Sequence, residues 1–264
     1  MLIAARQADK AIRFAPSQER RTTAESTILG LFSQSLVLWL NPYRTPIQAG
    51  STVGKAPDLS LRQNSITQTT ASKQPAMVVK SGVKALLFDA VNDGLVTSSI
   101  AMQSSQQLST FVQCWSTATN AAAIEISTDA NAVTNGFLST RNDTAGGDVV
   151  GYYRGNAGIQ YKSTSVTFSS WASALILCDK SQTAANEMTI KVNNVAVALR
   201  PATTSENTNS FGDYAWNIGS RNNGASLVLN GWLSQVLGFK TLLNSAQQTT
   251  LYRAVQNISG LGWT

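Results

Sequence analysis

The sequence predicts an all-β fold, an antiparallel β-sandwich with a helix at each end. Short apolar or alternating segments bounded by turn residues recur about every ten residues in the second half of the chain, which is typical of a sandwich. Only 13% of the residues are charged and 43% are hydrophobic, whereas an average globular domain has about 25% charged residues. The 264 residues suit one large domain, since all-β sandwiches often reach about 200–250 residues.

The first 35 residues predict one helix. We expect it to run from about Ser17, its candidate N-cap after Pro16, to about Ser33. Two alternatives remain open: the helix packs on the main domain, or it docks onto another chain. Its apolar stripe at helical spacing consists of Ile28, Leu29, Leu31 and Phe32.

Basic residues are densest ahead of that stripe, and the whole chain has a formal net charge of +6. No aromatic or glycine-rich RNA-binding pattern accompanies them, so we expect a solvated basic arm and no nucleic-acid partner. We assign residues 1–35 to assembly and anchoring. The residues expected to make these contacts are Arg13, Arg20, Arg21, Ile28, Leu29 and Phe32.

The first residues lack the basic start, the long apolar run and the cleavage site of a signal peptide. No stretch approaches the roughly 18 apolar residues that a membrane-spanning helix needs. We therefore expect a protein that is made in the cytoplasm without a signal peptide and does not insert into membranes.

Residues 36–264 are predicted to form the sandwich domain. Leu36–Leu40 is a continuous apolar run and predicts a buried strand. The segment Tyr43–Lys84 is rich in turn residues and is expected to contain only short strands. Ala85–Phe88 predicts a second buried strand, followed by the turn-like stretch Asp89–Gly94.

Ten further strands are predicted after that turn. Asn193-Asn194 is expected to form a hairpin turn between two of them, and Ser245–Gln256 predicts a closing helix that ends near Gly260. The predicted strands are Leu108–Ser116, Ala122–Thr128, Gly136–Thr140, Val149–Tyr153, Gly158–Ser163, Ser173–Asp179, Glu187–Val192, Val195–Leu199, Tyr214–Ile218 and Gly231–Phe239.

The two cysteines each lie inside an apolar run. Cys114 and Cys178 are therefore expected to be small buried side chains. Spacing alone leaves open whether they face each other on neighbouring strands. The missing secretion signal disfavours a disulfide.

The chain contains no histidine. This excludes a Ser-His-Asp triad, a Cys-His dyad and any histidine-ligated zinc or haem site. Glycoside hydrolysis needs two carboxylates about 5–10 Å apart, and the nearest pattern is Glu125 with Asp129. We expect these two residues to be a surface pair, with catalysis as the alternative.

Asp89, Asn92 and Asp93 could offer oxygen ligands to a calcium ion. The alternative, which we favour, is that these side chains accept hydrogen bonds from the backbone of their own turn. No metal or other cofactor is therefore predicted.

Several aromatic residues could stack on sugar rings, although most aromatic residues of a sandwich lie in its core. Tyr152 and Tyr153 are adjacent in a predicted strand, so one of them is expected to face outward. The polar loop after residue 141 is of a type that carries recognition. The predicted ligand contacts are Tyr152, Tyr153, Asn142, Asp143 and Tyr214; the other aromatic candidates are Trp115, Tyr161, Trp171 and Trp216.

Four blocks resemble, in their order, the concanavalin A-like or laminin G-like jelly-roll family. The first is the Trp-containing strand Leu36–Pro42, and the second runs from Pro57–Ser60 through Thr70–Pro75 to the Phe-Asp segment Ala85–Gly94. The third is the hairpin Met188–Val197, and the fourth is Trp216–Arg221 followed by Leu229–Phe239 and the final helix. The resemblance implies a jelly-roll sandwich. The sequence departs from the family pattern at two positions: Ala90 stands where a glycine is usual, and Asn41 stands where an acidic residue is usual. The change at Asn41 weakens the case for a cation site of the family type.

This family includes glycan-binding modules, adhesion domains, glycosidases and virion components, so the fold does not decide the function. The N-terminal extension and the richness in Ser, Thr, Asn and Gln are most similar to bacteriophage members. We therefore predict a non-enzymatic structural component of a tailed-bacteriophage virion, such as a tail-fibre, baseplate or capsid-decoration protein, that contributes to adhesion to host-surface glycans. Its expected partners are other virion proteins, copies of itself in a homo-oligomer such as a trimer, and a cell-surface glycan. The alternatives are a free-standing carbohydrate-binding module and a glycoside hydrolase.

Overall fold

The computed structural model describes residues 22–116, 121–127, 135–141, 149–154, 158–163, 170–183, 185–203 and 209–262. It confirms an antiparallel β-sandwich with two helices, α1 (Thr23–Phe32) and α2 (Ser245–Ser259). The strands are β1 Leu36–Leu40, β2 Lys55–Ala56, β3 Ile66–Thr67, β4 Ala76–Lys80, β5 Val83–Asp89, β6 Leu95–Ile100, β7 Gln107–Ser116, β8 Ala121–Ile126, β9 Phe137–Arg141, β10 Val149–Arg154, β11 Gly158–Ser163, β12 Ala172–Asp179, β13 Met188–Val192, β14 Val195–Ala196, β15 Leu199–Thr203, β16 Tyr214–Ile218 and β17 Asn230–Phe239.

The strands form two sheets. Sheet I has the order β14-β13-β12-β7-β17-β5-β4, and β1 also pairs with β17. The long strand β17 therefore pairs with β7 on one side, and with β5 and then β1 on the other. Sheet II has the order β15-β11-β10-β9-β8-β16-β6-β3-β2.

The main core lies between the two sheets. Inward-facing side chains such as Leu38, Phe88, Val112, Ile176 and Trp216 are fully or almost fully buried there. Because successive side chains of a strand point to opposite faces, the neighbours of these residues point to the outer faces of the sheets. What covers each outer face therefore decides whether those neighbours reach solvent.

The two helices cover part of the outer face of sheet I. Phe32 of α1 contacts Phe239 edge-on with ring centroids 5.2 Å apart, and Tyr252 of α2 contacts Phe111 at the same separation. Leu36–Leu40 is buried at all five positions because one face of β1 meets the inter-sheet core and the other meets the helices. This explains why the strand is continuously apolar rather than alternating.

Helix α1 packs on its own domain, which was one of the two alternatives. It begins at Thr23, later than expected, because Thr22 and Glu25 form a capping box in which each side chain accepts a hydrogen bond from the other residue's backbone. The candidate cap Ser17 lies outside the described residues.

Two expectations about the strands need correction. The short strands expected in Tyr43–Lys84 are present as β2, β3 and β4, but β6 was not predicted. The predicted strand Val195–Leu199 is in fact two strands, β14 in sheet I and β15 in sheet II. The chain crosses between the sheets after Ala196, so the polar/apolar pattern of this segment spans two different environments.

The predicted hairpin turn is confirmed. Asn193 and Asn194 both have positive φ angles, +48° and +67°, as a two-residue type I′ turn requires. The turn joins β13 to β14 in register. Gly260 ends α2 in the left-handed conformation, as expected for a residue after a helix.

Cys114 and Cys178 are buried, as predicted. They lie on the neighbouring strands β7 and β12, but Cys114 is opposite Ala172 and Cys178 is opposite Leu108. Ala172 and Cys178 are six positions apart on β12, which corresponds to about 20 Å along a strand. A disulfide needs Cα atoms within about 7 Å, so these two cysteines are not bonded to each other.

Candidate functional site

A group of tryptophans lies on the outer face of sheet I, beyond the end of α2. Trp115 of β7 and Trp232 of β17 are opposite each other in register, and Trp171 immediately precedes β12. On β7 the outward positions alternate from Phe111 through Gln113 to Trp115. Phe111 is covered by α2, whereas Trp115 and Trp232 remain partly exposed.

The indole rings pack against one another at steep angles. The centroids of Trp115 and Trp232 are 5.5 Å apart, and those of Trp115 and Trp171 are 6.3 Å apart. The indole N–H of Trp171 donates a hydrogen bond of 3.1 Å to the backbone oxygen of Lys80. The ammonium of Lys80 lies 4.3 Å from the ring centroids of both Trp115 and Trp232. These contacts hold the rings in place before any ligand arrives.

Two of these tryptophans line an open cleft of about 490 Å³, which we call the tryptophan cleft. Asn193, from the β13–β14 hairpin, supplies a carboxamide whose oxygen accepts hydrogen bonds from the backbone N–H and the hydroxyl of Ser173 at 2.9 and 3.3 Å. These bonds orient the carboxamide NH₂ group. The lining residues are Ser81, Trp115, Ser170, Trp171, Asn193, Leu261 and Gly262.

The lining of the tryptophan cleft is uncharged and partly aromatic. Its lining combines aromatic surface with hydroxyl and amide groups, and none of the seven lining residues has a carboxylate, an amine or a thiol. Such a surface can hold a ring-shaped ligand that has both apolar faces and hydroxyl groups.

The tyrosines predicted as ligand contacts lie elsewhere and do not come together with this cleft. Tyr152 faces outward from sheet II, half-buried against Leu138 and Leu227. Tyr153 is fully buried in the inter-sheet core, which removes it from the candidate contacts. Tyr214 is half-buried and packs against the same core.

The other residues predicted to contact a ligand fall into three groups: outside the described residues, in the core, and at the cleft. Asn142 and Asp143 lie outside the described residues, as does the side chain of Tyr161. Trp216 is a core residue. Trp115 and Trp171 do line the cleft, whereas Trp232 was not singled out, although it occupies the outward position opposite Trp115.

The buried Tyr153 belongs to a polar cluster at one end of the core. Its hydroxyl donates a hydrogen bond to the carboxylate of Glu187. Lys180, also fully buried, places its ammonium 4.3 Å from the ring centroid of Phe211 and donates a 2.8 Å hydrogen bond to the backbone oxygen of Asn209. Burial disfavours the charged form and lowers the pKa of Lys180 from 10.5 to about 8.

The lowered pKa of Lys180 predicts a pH-dependent stability. Between pH 8 and 10.5 the unfolded chain binds more protons at this residue than the folded protein does, so its contribution to the free energy of unfolding rises with pH in that window. We expect the free energy of unfolding of the parent protein to increase relative to that of Lys180→Met from pH 8 to pH 10. Urea denaturation of both proteins across that range measures it. A difference that stays constant with pH would contradict the prediction.

Glu125 lies on β8 and is fully buried, so its expected surface position is wrong. Its carboxylate accepts hydrogen bonds from the Arg221 guanidinium at 3.0 Å, the Asn217 side chain at 3.2 Å and the Asn222 backbone at 2.8 Å. Both oxygens are therefore engaged in holding the turn around residues 219–226 against sheet II. The possible catalytic partner Asp129 lies outside the described residues.

The calcium candidates are engaged in their own turn. One oxygen of Asp89 accepts hydrogen bonds from the backbone N–H groups of Val91 and Asn92, and Asp93 accepts one from the backbone of Asp89. Burial raises the pKa of Asp93. Among the residues that the structure describes, no three side chains of Asp, Glu or Cys are grouped to hold a metal ion. The contacts of Asp89 and Asp93 match the turn alternative, and Asn92 takes part in the turn through its backbone N–H.

The predicted assembly residues are placed as follows. Ile28, Leu29 and Phe32 are buried between α1 and sheet I, so their side chains are used within the domain. Arg13, Arg20 and Arg21 lie outside the described residues. In the described part of the chain, neither helix is long and apolar enough to cross a membrane.

Comparisons with known proteins establish the fold. No protein-family model matches the chain, and no curated protein matches it by sequence. Among solved structures, the chain is similar to domain 4 of AbnA, an extracellular GH43 arabinanase from Geobacillus stearothermophilus solved in complex with arabinotriose, with 12% identity and a TM-score of 0.58. The match covers 83% of this chain and 98% of that one.

Two botulinum neurotoxin structures are also similar. One is a type C neurotoxin structure whose study concerns cell entry through two ganglioside molecules, with 11% identity, a TM-score of 0.59 and coverage of 86% of this chain. The other is the binding domain of serotype D/C, with 11% identity, a TM-score of 0.58 and coverage of 85%. This chain spans about half the length of those toxin chains, 53% in each case. At these identities the likeness is one of fold: the chain shares an antiparallel β-sandwich with all three proteins.

Proposed function

We propose that this protein is a carbohydrate-binding module that recognises a saccharide at the tryptophan cleft. The observation that carries the proposal is the pair Trp115 and Trp171 lining an open cleft beside the amide of Asn193 and the hydroxyls of Ser81 and Ser170. An indole presents a flat apolar surface that suits the C–H faces of a sugar ring. The polar groups suit its hydroxyls, and the volume lies in the usual range of about 300–1,000 Å³ for ligand sites.

The pre-formed state of the cleft supports this function. The hydrogen bond from Trp171 to Lys80 and the packing of Trp115 on Trp232 order the rings without a ligand. Ordering side chains on binding costs about 0.5–1.5 kcal/mol for each side chain immobilised. A cleft that is already ordered therefore loses less affinity to this cost.

The structural neighbours support a saccharide as the ligand class. Domain 4 of AbnA was solved with arabinotriose, and the type C neurotoxin study concerns two ganglioside molecules. Arabinotriose is a saccharide, a ganglioside is a glycolipid with a saccharide headgroup, and both proteins are similar in fold to this chain. The neighbours do not carry over a binding position, which rests on the cleft of this chain.

We also propose that the module is not an enzyme. The retaining and inverting mechanisms of most glycosidases need two carboxylates flanking the scissile bond. The lining of the tryptophan cleft has no carboxylate, and Glu125 has its oxygens engaged by Arg221, Asn217 and Asn222. A bound saccharide is therefore expected to be released unchanged.

Replacing Trp115 by alanine is expected to weaken saccharide binding at least about tenfold, equivalent to ~1.4 kcal/mol, because the substitution removes the aromatic floor of the cleft. Titration calorimetry with arabinose, galactose and uronic-acid oligosaccharides measures the affinity, and chromatography shows whether they remain intact. Tyr152→Ala is the matched control, because Tyr152 is also a half-buried aromatic residue but faces outward from sheet II.

The outcomes separate binding from folding. Trp115→Phe keeps an aromatic ring and is expected to retain more affinity than Trp115→Ala, with both variants unchanged in near-UV circular dichroism outside the tryptophan bands. Equal losses in Trp115→Ala and Tyr152→Ala, or no binding of any saccharide by the parent protein, would overturn the proposal. A change in oligomeric state caused by Trp115→Ala alone would instead identify the cleft as a protein interface.

The bacteriophage virion expected from the sequence as the location of this protein stays a prediction. A module of this kind on a bacteriophage virion would contribute adhesion to the host surface, and many copies would convert weak contacts into stable attachment. The virion partners, the oligomer and the location in a particle belong to that prediction.

A further inference from the structure

We propose that the tryptophan cleft selects an anionic saccharide, one that carries a carboxylate or a sulfate, and that Lys80 determines this selectivity. The inference rests on the proposed saccharide binding and deepens it by naming the ligand class. The ammonium of Lys80 lies against two of the three tryptophans.

Lys80 is the last residue of β4, an edge strand of sheet I. It points to the same face as Val78, which packs against the tryptophans. Its ammonium lies 4.3 Å from the ring centroids of both Trp115 and Trp232, within the distance of a cation–π contact. Its backbone oxygen accepts the indole N–H of Trp171. Lys80 is therefore tied to all three indoles.

In the described part of the chain, no carboxylate forms an ion pair with this ammonium. Within the described residues, the ion pairs are Arg44 with Glu25 and Arg221 with Glu125, and neither involves Lys80. The seven lining residues of the cleft carry no charge. Among the described residues that line the cleft or contact its tryptophans as a cation, a ligand that approaches Trp115 therefore meets the ammonium of Lys80 and no carboxylate.

The position of Lys80 affects neutral and anionic saccharides differently. A neutral sugar that stacks on the face of Trp115 occupied by the ammonium must displace it, which gives up a contact of about 0.5–2 kcal/mol. An anionic sugar can pair with the same ammonium at the edge of the cleft and gains a charge-assisted hydrogen bond. The net charge of +6 adds a long-range attraction for anions. All three effects favour the anionic ligand.

The test compares three saccharides that share one backbone: a galactose trisaccharide, the corresponding galacturonate trisaccharide and a sulfated galactose trisaccharide. Titration calorimetry on the parent protein is expected to give at least about tenfold tighter binding for one or both anionic forms. Tight binding of the galacturonate identifies a carboxylate as the recognised group, and tight binding of the sulfated form identifies a sulfate.

Three variants isolate the role of Lys80. Lys80→Met keeps most of the apolar stem over the indoles and is expected to reduce the anionic preference to about twofold or less. Lys80→Arg keeps the charge and the cation–π contact and is expected to retain the preference. Lys55→Met removes an exposed lysine from sheet II and is the matched control for net charge. The anionic preference of the parent protein is also expected to fall with added salt, because screening weakens exposed charge pairs.

The outcomes distinguish this inference from the proposed function. Equal affinity of the parent protein for neutral and anionic forms, or an unchanged preference in Lys80→Met, overturns the proposed selectivity. In either case, saccharide binding that is lost in Trp115→Ala still supports the saccharide site. Absence of binding by all three saccharides, together with no binding in the wider panel, overturns both. If Lys80→Met does not fold, the salt dependence of the parent protein and the affinities of Lys80→Arg test the selectivity instead. An anionic preference that does not fall with salt, or that is lost in Lys80→Arg, overturns it.

Discussion

Glu125→Ala is expected to lower the free energy of unfolding by about 3–5 kcal/mol, the usual cost of removing one partner of a buried ion pair. Glu125 is fully buried and Arg221 is only slightly exposed. Without the carboxylate, the guanidinium of Arg221, the side-chain amide of Asn217 and the backbone N–H of Asn222 all lose the same acceptor. Each buried donor left without an acceptor adds a desolvation cost.

Urea denaturation of the parent protein and the variant measures this loss. Glu125→Gln keeps the size and one acceptor oxygen and is expected to be destabilised less than Glu125→Ala. The double variant Glu125→Leu/Arg221→Met removes both charges together and is expected to recover part of the stability, as replacing a buried pair by apolar groups often does. A loss below about 1 kcal/mol in Glu125→Ala would show that the ion pair behaves like an exposed one.

The burial of Glu125 could not be predicted from the sequence. Arg221 lies 96 residues further along the chain, and nothing in the local pattern around Glu125 indicates that strand β16 and the following turn will cover it. The sequence alone suggests a carboxylate at the surface. The fold instead places it under a turn, where it organises polar groups from another part of the chain.

The elements that could be predicted are those set by local chemistry. Leu36–Leu40, Gly158–Ser163 and Tyr214–Ile218 have the predicted boundaries, and the Asn193-Asn194 turn has the expected geometry. Alternation, turn residues and caps act over a few residues and are therefore visible in the sequence. The missed strand β6 follows the turn-like stretch Asp89–Gly94, and its sequence Leu-Val-Thr-Ser-Ser-Ile shows little apolar alternation.

The tryptophan cleft could be anticipated only in part. Trp115 and Trp171 belong to the aromatic residues named from the sequence, but the pattern cannot tell which outer face a helix will cover. Helix α2 covers Phe111 and ends before Trp115, four residues further along the same strand. The position at which α2 ends therefore decides that Phe111 is a core residue and that Trp115 is a candidate ligand contact.

Gly219→Ala is expected to destabilise the protein by about 2–5 kcal/mol. Gly219 directly follows β16 and has a φ angle of +77°, which costs an alanine about 1–2 kcal/mol. A Cβ at this position would also overlap the ring of Phe88, a fully buried residue of β5 in sheet I. Overpacking of a well-packed core adds typically about 1–3 kcal/mol. The glycine therefore permits both a turn and a close approach of the two sheets.

Gly260→Ala separates the cost of the positive φ angle from the cost of the overlap with Phe88. Gly260 has a similar φ angle of +69°, but no heavy atom lies within 4 Å of a Cβ built there. We expect this variant to lose only the conformational part, about 1–2 kcal/mol, so the difference between the two variants measures the overlap with Phe88. Adding Phe88→Leu to Gly219→Ala is expected to cost less than the sum of the two single changes, because the smaller side chain relieves that overlap. Additive losses in urea denaturation would show that the alanine is accommodated without contact with Phe88.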